Sequence, residues 1–178
     1  MGGVSGELKN ELTKRLSSVL DGSWTLRRIE RLTGGASRET WAITAASATG
    51  GTRELILRRD PPGREDARRI AMEAASFDEA ARVGVPVPDV IDRSGDEPHP
   101  GIGAYLVMPK VPGEALPQKL LRDENLAEVR AALPYELGRI LARIHRMDIE
   151  AVPNLPEHDP LTSLFDEYLT NGEPVPAL

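Results

Sequence analysis

Apolar residues recur along this chain with two different periods, and each change of period marks a new element. Between Gly6 and Leu20, Leu8, Leu12, Leu16, Val19 and Leu20 fall at helical spacing. Ser5 is a candidate N-cap, and Asp21-Gly22-Ser23 ends the helix. From Trp24 to Arg59 the pattern becomes that of strands: Trp24 to Leu32, Glu39 to Ala46, and Arg53 to Arg59. Turns at Gly34-Gly35-Ala36-Ser37 and Ala48-Thr49-Gly50-Gly51 separate them, and in the second strand Trp41, Ile43 and Ala45 alternate with Ala42 and Thr44. Asp60-Pro61-Pro62-Gly63 then breaks the sheet. A helix is predicted from Arg64 to Arg82, with Ile70, Ala71, Ala74, Phe77, Ala80 and Ala81 on its apolar side. Gly84-Val85-Pro86-Val87-Pro88 stops it, because two prolines so close cannot continue a helix. Two further runs of strand type, Asp89 to Asp92 and Ala104 to Met108, flank a polar loop from Arg93 to Gly103.

After Lys110, Val111-Pro112-Gly113-Glu114 reads as a linker and the remainder as helical. Leu133, Leu137, Ile140, Leu141 and Ile144 mark one helix, with Pro134 suited to its first turn. Pro-rich segments from Val152 to Pro160 and from Gly172 to Pro176 bracket a last short helix around Leu161 to Leu169. The expected fold class is α+β: a five-stranded antiparallel sheet plus a helix, then the first helices of a helical lobe. The expected divisions are residues 1–110 (including the helix over 6–20), a linker over 111–116, and a partial helical lobe over 117–178.

At 178 residues the chain suffices for one domain, or a small lobe and part of another. Aromatic residues are 4%, so the core must be built mainly from Leu, Ile, Val and Ala. A net charge of −6 argues against a nucleic-acid partner. The absence of cysteine excludes disulfides, thiol nucleophiles and cysteine metal sites. The N-terminus has no apolar signal region, and no run reaches the roughly 18 apolar residues of a membrane helix. A cytoplasmic protein without a membrane partner is the expectation.

Candidate chemistry begins at LTGGASRETWAI, residues 32–43, and continues on the next strand in ELILRR, which ends in Arg58 and Arg59. A Gly-rich hairpin followed one strand later by a cation suits a polyphosphate: glycines let backbone N–H groups approach its oxygens, and the cation neutralises charge. Strand alternation places Ile56 and Arg58 on one face and Leu55, Leu57 and Arg59 on the other, so one arginine faces a cleft and the other reaches solvent. Glu73, on the face of the following helix that looks back at the strand, is positioned to hold the Arg58 guanidinium over a phosphate. The plainer alternatives are a surface ion pair worth little and a Gly-Gly hairpin that needs no ligand. Neither GxxxxGK[ST] nor GxGxxG occurs.

This order of parts is the layout of a protein-kinase-like N-lobe. Within it the chain resembles the aminoglycoside phosphotransferase and choline kinase-like family, in the branch related to the kinase-like domain associated with acyl-CoA dehydrogenases. The stretches that carry the resemblance are LTGGASRETWAI, ELILRRDPPG, MEAASFDEAARVGVPVPDVI, YLVMPKVPGEAL and ELGRILARIHRMD. It implies an ATP-dependent phosphotransferase that uses Mg²⁺ to transfer the γ-phosphate to a small-molecule hydroxyl. By the same resemblance Gly34, Gly35 and Ser37 form the loop over the phosphates. Arg58 takes the place of the phosphate-binding lysine, with Glu73 as its partner, and Met108 backs the adenine pocket. The Pro109 carbonyl and the Val111 N–H face the adenine edge.

Three departures qualify the resemblance. Arg58 stands where the family has lysine, and Arg38 follows the loop serine where asparagine is often found, its role open. The family's HGD…N segment and following Asp do not occur, so catalytic and metal-ligating residues are expected outside these residues and the chain reads as truncated before the catalytic loop. The segment alone is then expected to be inactive. His145 reads as a packing or hydrogen-bonding residue, Asp148 does not match the catalytic aspartate, and His99 and His158 read as solvated. The alternative function is a non-catalytic nucleotide-binding or oligomerising module, with a homodimer formed through the exposed helices.

Overall fold

The computed structural model describes residues 6–32, 38–114 and 116–156. Helix α1 (Gly6–Val19) is followed by strands β1 (Trp24–Leu32), β2 (Glu39–Ser47) and β3 (Thr52–Arg59), then helix α2 (Ala67–Arg82). Strands β4 (Asp92–Arg93) and β5 (Tyr105–Pro109) complete an antiparallel sheet of order β1-β2-β3-β5-β4. Helices α3 (Pro117–Arg122) and α4 (Ala127–Ile144) follow, joined by the short turn Glu124–Leu126. Among the described residues no helix is long and apolar enough to cross a membrane.

Alternation along the strands creates two cores. Leu55 and Leu57 of β3, Trp41, Ile43 and Ala45 of β2, and Tyr105 and Val107 of β5 face α1, where Leu8, Leu12 and Leu16 are each at most 1% exposed. Each leucine so buried contributes about 1.5–3 kcal/mol. Ile56, Leu106 and Met108 point to the other face, against Ile70 and Phe77 of α2. A buried polar cluster fastens α1 to the sheet: Asp92 accepts from Tyr105 Oη at 2.6 Å and from Arg15 Nη2 at 2.5 Å. Burial is the main reason the Tyr105 phenol is pushed well above its ordinary range, with the Asp92 bond adding to it.

Several boundaries differ from the sequence expectation. Helix α2 starts at Ala67 because residues 60–66 are consumed by a hydrogen-bonded turn, in which Arg64 N–H donates to the Pro61 carbonyl and Asp66 caps the helix by accepting from Arg69 N–H. Its end is as expected: Gly84 takes a φ of 80°, and Gly84 and Val85 N–H close back on Ala81 and Ala80. β4 begins three residues later than expected, since Pro86 and Pro88 have no N–H to pair and the ladder opens with Ile91 N–H to the Val107 carbonyl. Pro134 lies inside α4, not in its first turn. The turn capped by Asp123 runs directly into α4, so the helix starts earlier, and Arg130 secures the corner by donating to the Leu120 and Asp123 carbonyls.

Helix α4 carries no buried residue; Leu137 and Leu141 are 57% and 51% exposed. The end of α4 and the segment after it are nevertheless tied to the end of α2. Glu79, only 5% exposed, accepts from Arg82 and from the backbone N–H of Asp148 at 2.6 Å, and Arg143 donates to the Gly84 carbonyl. The Arg82 bond first, and the Asp148 N–H second, lower the Glu79 pKa from 4.5 to about 2.

Leu12→Ala should cost about 2–5 kcal/mol in denaturant unfolding, as expected for a cavity beneath a closed core. Because the folded pKa of Glu79 is depressed, its stabilising contribution is present above the ordinary carboxylate value of 4.5 and is lost as pH falls toward about 2. Glu79→Gln should therefore flatten the acid limb of the stability profile. Unfolding midpoints of the two proteins, measured across that window, should converge at its acid end.

Candidate functional site

The α2 face of the sheet carries one compact group of charges. On β3, the side chain after Ile56 on this face is Arg58, and the second turn of α2 sets Glu73 opposite it. Arg58 Nη1 donates to Glu73 Oε1. The other carboxylate oxygen, Oε2, is taken by Nη1 of Arg38, at the base of β2. Arg38 Nε also donates to Asp60 Oδ1 at 2.9 Å, while Asp60 Oδ2 accepts from Asp66 N–H at 2.9 Å. The Arg38 and Asp60 side chains are only 9% and 5% exposed, so their charges are neutralised by one another rather than by water.

Arg58 is different, since its side chain is 36% exposed and only Nη1 has a side-chain partner among the described residues. Burial, and after it the neighbouring Arg38 charge, lower its pKa. A guanidinium keeps its proton regardless, so this local penalty would be relieved by an approaching anion. Arg58 opens into a concavity of about 320 Å³ shared with Arg38, Arg69, Met72, Glu73 and Phe77. Arg69 brings a further guanidinium with no side-chain partner among the described residues. Three guanidiniums face two carboxylates here, leaving an excess of positive charge suited to a polyanion.

The structure thus joins Arg58 to Glu73, and adds Arg38 and Asp60, which the sequence reading left without a role. Met108 is 7% exposed in the α2-side core, and Pro109 closes β5 opposite Leu55. Val111 is 64% exposed, and its N–H donates to no backbone carbonyl among the described residues. Gly34, Gly35 and Ser37 lie outside the described residues, as does His158.

Arg59 does not reach solvent as expected. Its side chain is 13% exposed, because it lies over Trp41 and donates to Glu39 Oε2 and to the Ile102 carbonyl. A larger hollow of about 620 Å³ lies on that face, between α1 and the 98–103 turn. Its arginines, Arg31 and Arg59, both pair with Glu39, and Glu7 and Glu65 line the same hollow, so it carries no excess of positive charge. His99 is only partly exposed, with Nδ1 2.6 Å from the Pro100 carbonyl and its ring edge-on to Tyr105. His145 is the exposed C-cap of α4 where a packing or hydrogen-bonding residue is expected, and its side chain has no hydrogen bond among the described residues. Asp148 caps the turn Ile149–Ala151.

The chain is 31% identical over 123 residues to acyl-CoA dehydrogenase family member 10 of Mus musculus, an alignment covering 66% of this chain and 10% of the relative. Residues 28–174 match the profile of the phosphotransferase enzyme family APH. The antiparallel sheet, the helix packed on it and the helices that follow form the α+β, kinase-like layout that the sequence predicts. By that match, which spans most of its length, the chain belongs to the APH phosphotransferase enzyme family.

Proposed function

We propose that this chain provides the nucleotide-gripping part of an ATP-dependent phosphotransferase whose acceptor is a small-molecule hydroxyl. The observation that carries the reading is the Arg58–Glu73 pair: a guanidinium oriented by a carboxylate, with its remaining donors open to a positively charged concavity. Glu73 fixes the direction of the guanidinium, and its free edge would take two oxygens of one phosphate or bridge neighbouring phosphates. Lysine in this place would offer a point charge instead.

The groups on β5 and beyond fit the base. Met108 would back the adenine ring, the Pro109 carbonyl would accept from the amino group, and the Val111 N–H would donate to a ring nitrogen. Gly34, Gly35 and Ser37 would cover the phosphates. Bound Mg²⁺ supplies charge neutralisation in such a reaction. Among the described residues no three His, Asp or Glu gather to hold a metal, so no ligand is assigned to it. The residues named here bind, orient and neutralise, and none is assigned the proton transfer.

Arg58→Met should weaken Mg-ATP binding about tenfold or more by titration calorimetry while shifting the melting temperature little. Glu73 keeps Arg38, and a half-exposed ion pair contributes about 1 kcal/mol or less. A collapse of the melting temperature would make Arg58 structural.

An oligomerising role is the second reading, favoured by the exposed stripe of Leu137, Leu141 and Ile144 on α4. Light scattering during an ATP titration separates the two. A tight oligomer blind to nucleotide supports the second reading, and a nucleotide-binding species at monomer mass supports the first.

A further inference from the structure

The phosphate reading gives Arg58 a partner but does not explain why a second, nearly buried arginine should occupy the other oxygen of the same carboxylate. Glu73 could by itself accept both ends of the Arg58 guanidinium, the arrangement that arginine and carboxylate adopt most readily. Such a fork-to-fork pair would spend the donor edge that a phosphate needs. Here the carboxylate is shared instead: Arg38 Nη1 takes Glu73 Oε2, and Arg58 Nη1 bonds Oε1.

Arg38 holds that position because it is itself anchored. Asp60 accepts from Arg38 Nε on one oxygen and from Asp66 N–H on the other, and its own N–H donates to the Ala104 carbonyl. Asp60 is therefore fixed by backbone on two sides, and Asp66 is the residue that caps α2. One planar guanidinium thus connects the base of β2, the end of β3 and the second turn of α2. An ammonium could not reproduce this, since the two carboxylates are met by different nitrogens of a rigid fork.

Resting on the phosphate reading, we propose that Arg38 is a positioning residue: by bridging Asp60 and Glu73 it keeps Arg58 singly bonded, with a donor edge free for the nucleotide phosphates. Arg38 need not touch the nucleotide. Its effect is on phosphate recognition and not on the base.

The test compares ATP and adenosine binding by calorimetry in the full chain and in Arg38→Gln and Arg38→Lys. In the unaltered chain ATP should bind more tightly than adenosine; equal affinities would sink the phosphate reading itself, whatever the variants do. In Arg38→Gln the advantage of ATP should fall about tenfold with adenosine affinity unchanged, which general loosening of the structure would not produce. Arg38→Lys keeps the charge, and should show part of the same loss at nearly the same melting temperature. Equal weakening of both ligands, full retention of the ATP advantage in the lysine variant, or failure of both variants to fold would each overturn the positioning role.

Discussion

A single carboxylate, Glu73, decides how this fold presents positive charge. It is only partly exposed, so its two oxygens must find donors, and each finds a different arginine. Arg38 stands just before β2 and Arg58 lies on β3, so satisfying Glu73 joins the sheet to α2 at the edge of the concavity. A hydrophobic contact between the same elements could hold them together as firmly. It could not leave a guanidinium half solvated beside a second cation, and that residual charge is what gives the place a chemical character.

The period of the sequence was a sound guide wherever burial is one-sided. Leu8, Leu12 and Leu16 at helical spacing, and Trp41, Ile43 and Ala45 in alternation, face a single core and are buried as read. It served less well where a segment is shaped by its neighbours. The late start of α2 follows from hydrogen bonds within residues 60–66, and β4 is set by where Val107 and Tyr105 offer carbonyls to Ile91 and Ser94. The early start of α4 depends on the Asp123 cap, a signal present in the sequence but overshadowed by the apolar spacing after Leu133.

The charged residues show the same division. Arg58 and Glu73 were legible because strand alternation and helix periodicity each put one of them on a known face. Arg59 was misjudged because alternation gives a face and not an exposure. Its side faces α1, but Glu39, Trp41 and the Ile102 carbonyl happen to enclose it there. Arg38 and Asp60 flank loops, where no period operates, and their meeting depends on β2 and β3 pairing in register so that Glu39 lies opposite Arg59. Only the adjacent positions of Asp60 and Arg59, at a strand end rich in charge, hinted that a pair was needed.

Seen along its length, α2 is the element on which these interactions converge. Its N-terminus is held through Asp66 to Asp60, and its second turn through Glu73 to both arginines. Near its end, Glu79 accepts the Asp148 N–H, and Gly84 just beyond it accepts Arg143. The apolar contacts of Ile70 and Phe77 fix the distance of α2 from the sheet, but contacts of that kind tolerate sliding along the helix axis. The directional bonds do not, because each requires donor and acceptor within a few tenths of an ångström. The axial position of α2 is therefore set by polar groups at three levels. The end of α4, through Arg143, and the segment after it, through Asp148, enter that balance, so the placement of Arg58 is shared by parts of the chain far apart in sequence.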